Sequence, residues 1–265
     1  MTQDIRFGPA GIGGAKEAVQ NLEKFNKLGF RAVEVEFTYR VYIKKEDALE
    51  IAKAAKKLDI QLSIHAPYYI NLNSEWPDKV KRSVKRILDC CEMADYLGAK
   101  YVVFHSAFYG LSKKKTPEEV YETVKQKILE MQEVIHKNKW GVILAPEAMG
   151  KKSQFGSVDE LIKLRKETGC FFCIDFAHLE ARTGKAEYAE ILEKLKANGI
   201  TELQCHFSGI EYGEQGEKRH VVTPNNKLKE LLLAFKKTGL SAVIINESPD
   251  PLGDSRKGMD IWKKQ

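Results

Sequence analysis

Short apolar and β-branched runs alternate with longer amphipathic segments rich in Lys and Glu along the whole chain. The apolar runs predict buried strands, and the amphipathic segments predict helices that cover them. The predicted strands are IRFG (5–8), AVEVEF (32–37), QLSIHA (61–66), YVVFHS (101–106), GVILAPE (141–147), FFCID (171–175), ELQCHFS (202–208) and AVIINE (242–247). Eight strands that alternate with helices, without a long linker, predict one α/β domain over residues 1–265, a (β/α)8 TIM barrel.

Helix signals support this division of the chain. The helix predicted over 118–138 follows Thr116 as N-cap, Pro117 as first helical residue and Glu119 as the partner in a capping box. An open doubly wound sheet is the alternative fold. It is disfavoured because no G-x-G-x-x-G follows the first strand, where GPAGIGG (8–14) is only a loose glycine cluster.

The composition limits the expected compartment and the kinds of partner. No apolar stretch approaches 18 residues and the first residues lack the layout of a signal peptide, so we expect a cytoplasmic protein without a membrane partner. The five cysteines, an odd number, argue against a disulfide framework. A net charge of +6 is compatible with a nucleic-acid partner and does not require one.

Imidazole and carboxylate side chains recur where the predicted strands end. In a barrel these ends meet at one mouth, where the chemistry of such folds takes place. The residues in question are His65, His105, Glu147, Asp175, His178, His206, His220 and Glu247. Asp175 and His178 also have a simpler interpretation, as the N-cap and first turn of a helix.

Unpaired charges gathered in one mouth would repel each other and would be costly to remove from water. Bound cations remove that cost. Neutral imidazoles mixed with carboxylates suit Zn²⁺, and Mn²⁺ or Fe²⁺ less tightly. Eight such ligands are too many for one ion, so the pattern predicts two or three ions that share a carboxylate.

Six segments together resemble the endonuclease IV family of apurinic/apyrimidinic endonucleases, in the xylose-isomerase-like barrel superfamily. They are SIHAPYYINL (63–72), FHSAFYG (104–110), APEAMGKKSQFGS (145–157), CIDFAHLEAR (173–182), CHFSG (205–209) and INESP (245–249). The resemblance implies a monomeric, zinc-dependent hydrolase of base excision repair. It would cleave the phosphodiester 5′ to an abasic site in double-stranded DNA, by a hydroxide that bridges two metal ions.

The resemblance also implies roles for single residues, because this family holds three zinc ions. His65, His105 and Glu147 are similar to the first site. Glu147, the expected catalytic residue, would bridge to a second site completed by Asp175, His206 and Glu247, and His178 and His220 would belong to the third.

One departure affects the third site. The family supplies an Asp-x-His pair after strand seven, whereas this chain has Lys218, Arg219 and His220. Three alternatives follow: a nearby acid (Glu217, Glu214 or Glu211) replaces the aspartate, the lysine ammonium takes over part of the role, or the site is weak.

For DNA recognition, the resemblance implies that the loop after strand three inserts side chains into the base stack. Tyr68 and Tyr69 are the candidates, with Asn71 in the same loop and Arg40 after strand two. Lys218 and Arg219, and the mouth-loop residues Lys113 and Lys114, are candidates for phosphate contacts. Alternatively, the tyrosines only cover the rim of the barrel.

Two other functions fit part of this pattern. A sugar isomerase or epimerase on the same barrel would hold one divalent ion with Glu147, Asp175, His206 and Glu247. The additional histidines and the YYINL loop favour the nuclease. A protein that binds DNA or metal without catalysis is the third alternative, suggested by Lys218 in the impaired third site.

Overall fold

The computed structural model describes residues 3–110 and 115–264, so Lys113 and Lys114 lie outside the described residues. The strands are β1 (Ile5–Pro9), β2 (Ala32–Glu36), β3 (Gln61–His65), β4 (Tyr101–Phe104), β5 (Ile143–Pro146), β6 (Cys173–Asp175), β7 (Glu202–Phe207), β8 (Gly209–Gly213), β9 (Gly216–Val221) and β10 (Ser241–Asn246). The helices are α1 (Ala18–Lys27), α2 (Lys45–Lys57), α3 (Pro77–Leu97), α4 (Pro117–Asn138), α5 (Val158–Thr168), α6 (Phe176–Thr183), α7 (Tyr188–Ala197), α8 (Asn225–Thr238) and α9 (Pro251–Lys263).

Two parallel four-stranded sheets form the centre of the fold, in the orders β1-β10-β7-β6 and β2-β3-β4-β5. Single parallel bridges join their edges: Ala10 to Glu34 between the first two strands, and Glu147 to Cys173 between β5 and β6. The eight predicted strands therefore follow one another in the order of a TIM barrel, with the helices outside. All eight carboxyl ends lie at one mouth.

The capping prediction for α4 is confirmed. The Thr116 hydroxyl accepts from the Glu119 backbone N–H, and the Glu119 carboxylate accepts from the Thr116 N–H. The helices bury their apolar faces against the strands, and the largest buried side chains include Phe104, Phe207 and Phe235. This packing fixes the strand ends, and with them the side chains that follow each strand.

The structure corrects the prediction at one place. The segment after β7, where the sequence predicts no further strand before residue 242, contains an antiparallel hairpin of β8 and β9. Its strands consist mostly of glycines and polar residues, so a search for apolar runs could not find them. The hairpin packs against α6 rather than in the barrel wall.

Among the described residues, no helix is both long enough and apolar enough to cross a membrane.

Candidate metal centre at the carboxyl end of the strands

The eight residues proposed from the sequence as metal ligands lie together at the mouth of the barrel. Their donor atoms form three overlapping groups, within each of which the atoms lie no more than 4.8 Å apart. The groups are His65, His105 and Glu147; Glu147, Asp175, His206 and Glu247; and Asp175, His178 and His220, here named the outer group. Glu147 and Asp175 each belong to two groups. The resemblance assigns a shared role to Glu147 alone, whereas in the structure Asp175 also belongs to two groups.

Glu147 is fully buried at the end of β5, at the centre of these groups. Its Oε2 lies 3.1 Å from His65 Nε2 and 3.0 Å from His105 Nε2. Its Oε1 lies 3.3 Å from His206 Nδ1 and 3.2 Å from His178 Nδ1. One carboxylate thus faces imidazoles on both sides, which is the arrangement that a bridging ligand requires.

Asp175 ends β6 and serves two purposes with its two oxygens. Its Oδ1 accepts from the backbone N–H of His178 at 2.8 Å, so it is the N-cap of α6. Its Oδ2 is buried without a hydrogen-bond partner among the described residues. Because an unsatisfied buried carboxylate oxygen is costly, this atom is a strong candidate for binding a cation. The two interpretations of Asp175 are therefore compatible.

Hydrogen bonds to a carbonyl or a hydroxyl occupy one ring nitrogen of three histidines at the mouth. His65 Nδ1–H donates to the Ala66 carbonyl at 2.8 Å, and His178 Nδ1–H donates to the Ala148 carbonyl at 3.0 Å. His220 Nδ1–H donates at 2.5 Å to the Ser208 hydroxyl, which itself donates to a carbonyl. In each case Nε2 remains as the ligand atom, as is typical of metal-binding histidines.

Glu34 is a functional candidate that the sequence analysis missed. It is fully buried in β2, with Oε1 2.8 Å from His206 Nε2. Its Oε2 accepts from Ser63 Oγ at 2.6 Å. A carboxylate behind the imidazole leaves His206 Nδ1 to face Glu147 and Glu247. The available signal was an acidic residue at an inward position of the apolar strand AVEVE.

Burial and mutual contacts shift the pKa values of these groups in the absence of metal. Burial opposes charge on His65, but the adjacent Glu147 carboxylate outweighs it and raises the pKa of His65 to about 9. Burial raises the pKa of Glu247 to about 8. Burial also opposes ionisation of Glu147, yet the surrounding imidazoles hold its pKa well below the usual value. Protons therefore compensate part of the buried charge when no cation does.

The donor set fits divalent cations of the zinc type. Two ligands about 2.1 Å from a tetrahedral ion are roughly 3.4 Å apart. The distances from His206 Nδ1 to Glu147 Oε1 and to Glu247 Oε1 are both 3.3 Å. These separations exceed those of good hydrogen bonds and suit a shared ion.

The residues proposed to contact DNA lie on the rim of the same mouth. Tyr68 and Tyr69 are 52% and 63% exposed, and Arg40 is also exposed. The Tyr69 ring stacks on Tyr39, which the sequence analysis did not identify, at a centroid distance of 6.2 Å. Asn71 uses its side-chain oxygen inside the loop, where it accepts from the Asn73 N–H.

Of the basic residues after β7, Arg219 donates to Glu211 Oε2 at 2.7 Å across the hairpin. Lys218 is exposed, and its side-chain end lies beside Gly213 at the hairpin turn. The hairpin thus directs these two cations away from the three groups, while His220 faces them.

Comparison with known proteins finds a matching family, an uncharacterised relative and relatives named as endonucleases. The sequence profile of the family described as Xylose isomerase-like TIM barrel matches residues 22–265. An uncharacterised protein of Methanocaldococcus jannaschii is 36% identical over 258 residues, which cover 92% of this chain and 91% of that protein. A Mycoplasma mobile protein named Probable endonuclease 4 is 26% identical over 63% of this chain and 59% of its own length.

Solved structures of similar fold include an endonuclease and an epimerase-like protein. Endonuclease IV from Thermus thermophilus superimposes with a TM-score of 0.76, at 20% identity, over 98% of this chain and 99% of that one. A D-tagatose 3-epimerase-like protein superimposes with a TM-score of 0.73, also at 20% identity and with the same coverage. Similarity at this level establishes the fold and does not separate the two activities.

Proposed function

We propose that this chain, which belongs to the xylose isomerase-like TIM barrel family, is a zinc-dependent endonuclease that hydrolyses the DNA phosphodiester 5′ to an abasic site. The observation that carries the proposal is the set of three overlapping donor groups, joined through Glu147 and Asp175. One divalent ion needs three or four protein ligands, whereas eight converge here. Phosphoester hydrolysis is the reaction class that uses such multi-metal sites.

Divalent ions held there would supply Lewis acidity, a lowered pKa for coordinated water, and positive charge beside the phosphate. The chain supplies the arrangement. Glu147 holds two groups at one fixed separation, and the hydrogen bonds of His65 and His178 fix the directions of their free nitrogens. Because these side chains sit on strand ends and are buried, little reorganisation is needed when substrate binds.

The rim provides features suited to a duplex with a gap in its base stack. The stacked pair of Tyr39 and Tyr69 presents an exposed aromatic surface next to the mouth. Beside it runs a groove of about 540 Å³ whose lining includes Lys79, Arg82 and Arg86. Aromatic side chains can fill the space of an absent base, and the cations can contact phosphates. We propose that one monomer binds one double-stranded site.

A second candidate is a sugar epimerase or isomerase, because Glu147, Asp175, His206 and Glu247 alone could hold one ion. Solved structures of similar fold include an epimerase-like protein. The groups formed by His65 and His105, and by His178 and His220, have no role in that one-ion scheme. They favour the nuclease.

Zinc-loaded protein incubated with a duplex that carries one abasic site separates these functions. We expect incision at that site, 5′ to the lesion, and no incision of the same duplex with an intact base. Interconversion of ketoses without incision would favour the epimerase. Tight binding of the abasic duplex without cleavage would favour a non-catalytic protein. Absence of both binding and cleavage of the abasic duplex would refute the proposed function.

A further inference from the structure

The outer group has three protein ligands, and it shares one of them, Asp175, with the four-membered group beneath it. Its members are Asp175, His178 and His220, and the position two residues before His220 is a lysine. An Asp or Glu at that position would share the face of His220 in a regular strand, because side chains alternate. The question is which side chain the hairpin presents there instead.

A β-bulge gives the answer. Ile210 pairs with His220 and Tyr212 pairs with Glu217, so Lys218 is the extra residue without a partner. Ile210 and Tyr212 are two positions apart and share a face. Their partners His220 and Glu217 therefore share a face as well, although three positions separate them. The bulge moves Glu217 to where a regular strand would place Lys218.

Glu217 consequently lies beside one member of the outer group, His178. Its Oε2 lies 3.4 Å from Nε2 of His178, and its side chain is 20% exposed. The Nδ1 of His178 is occupied by the Ala148 carbonyl, so Nε2 is the ligand atom. A separation of 3.4 Å is too long for a good hydrogen bond and is that expected of two ligands on one tetrahedral ion.

Two glycines allow this approach. A Cβ at Gly216 would lie 2.2 Å from the Gly150 carbonyl oxygen, and φ there is +99°. A Cβ at Gly150 would lie 2.8 Å from Glu217 Cβ and 3.0 Å from its Oε2. The loop after β5 and the hairpin can pack this closely only because neither residue has a side chain.

The other acids of the hairpin do not compete. Glu211 is paired with Arg219, and Glu214 is exposed in the turn. We propose that Glu217, shifted into position by the bulge at Lys218, is the fourth protein ligand of a metal ion in the outer group, with Asp175, His178 and His220. This assignment rests on the proposed function only in requiring that the mouth binds divalent ions.

Zinc binding by the full chain tests the assignment. Equilibrium dialysis against Zn²⁺, followed by elemental analysis, should give about three ions per chain for the unaltered protein. Glu217→Gln and Glu217→Ala should each weaken the weakest site at least tenfold, so that one ion is lost at limiting zinc. Glu214→Gln, which changes the same charge in the adjacent turn, is the matched control and should bind as the unaltered protein does.

The alternative is that Glu217 only forms an ion pair with a protonated His178. In that case both Glu217 variants would retain the full zinc content and affinity, and the assignment would be wrong. The outcome is separable from the proposed function. A protein that loses one ion on Glu217→Gln but never cuts an abasic duplex would keep Glu217 as a ligand and refute the nuclease activity.

Discussion

The two ends of the barrel handle charge in opposite ways. At the amino ends of the strands, acids pair with basic side chains of the chain itself: Asp4 with Arg6 at 2.9 Å, and Glu202 with Lys100 at 3.1 Å. At the carboxyl ends, Glu147 and Asp175 are buried and Glu247 is partly buried, and the ionic partners that the described residues supply to them are histidines. Among the described residues, no Lys or Arg nitrogen lies within 4 Å of Glu147, Asp175 or Glu247.

This difference shows what each end requires. Exposed pairs such as those at the amino end are complete without a ligand and contribute little to stability. Buried carboxylates without basic partners are costly, and a fold keeps them only where something else supplies positive charge. Protons can do so in part, as the raised pKa values of His65 and Glu247 indicate. Divalent cations would do so fully.

The largest expected effect comes from replacing the shared carboxylate. Glu147→Gln keeps the shape of the side chain but removes the charge that two donor groups share. We expect incision of an abasic duplex to fall at least about a thousandfold, or about 4 kcal/mol in transition-state free energy. Far-ultraviolet circular dichroism should be unchanged. Incision at the normal rate by this variant would refute the central role of Glu147.

The metal-free protein should become less stable as pH rises because of His65 at the carboxyl end. The folded pKa of His65 is about 9, above its ordinary value of 6.5. Its stabilisation is therefore complete below pH 6.5 and is lost as pH rises to about 9. This shift corresponds to a loss of about 3 kcal/mol in the free energy of unfolding.

Urea unfolding between pH 6.5 and 9, with and without zinc, measures this effect. Zinc should abolish the loss, because the ion rather than the proton then compensates Glu147. The metal-free and the zinc-loaded protein could instead lose the same free energy of unfolding over this pH range. In that case a bound cation does not replace the proton in compensating Glu147, and the proposed difference between the two ends of the barrel would be wrong.

A smaller effect should follow from Glu34→Gln. The glutamine keeps the size of the side chain beside His206 Nε2, but the negative charge behind the imidazole is gone. We expect zinc affinity of the group that contains His206 to fall by about 10- to 100-fold. Competition with a chromogenic chelator measures it. Ser63→Ala, which removes only one hydrogen bond to Glu34, should have a weaker effect; an equal effect would implicate packing rather than charge.

The sequence predicted the part of the site that depends on strand ends. The convergence of His65, Glu147 and His206 could be predicted because each lies at the end of an apolar run, and parallel strands bring such ends together. The hairpin of β8 and β9 was missed because its strands are mostly polar and contain no apolar run. The choice of Glu217 over its neighbours depends on one bulge, which shifts every side chain beyond it to the other face.

Glu34 was missed for a different reason. The role of an acid in an apolar strand is ambiguous until its partner is known. The partner of Glu34 is His206, which lies 172 positions away in the chain. The two residues come from opposite sides of the barrel, and only the closed fold brings them together. Long-range pairs of this kind are set by topology rather than by local sequence.

The smallest expected effect lies at the amino end. Lys100→Met removes the ion pair between Lys100 and Glu202, whose side chains are 41% and 45% exposed respectively. The substitution keeps the aliphatic stem against Tyr101. Because water already solvates both groups, we expect a loss of no more than about 1 kcal/mol in the free energy of unfolding. A double-mutant cycle with Glu202→Gln isolates the pair energy, and zinc content serves as the control. A coupling energy of several kcal/mol, or a change in zinc binding, would mean that the two ends of the barrel are not independent. A small coupling energy with unchanged zinc content would mean that only the carboxyl end requires bound cations.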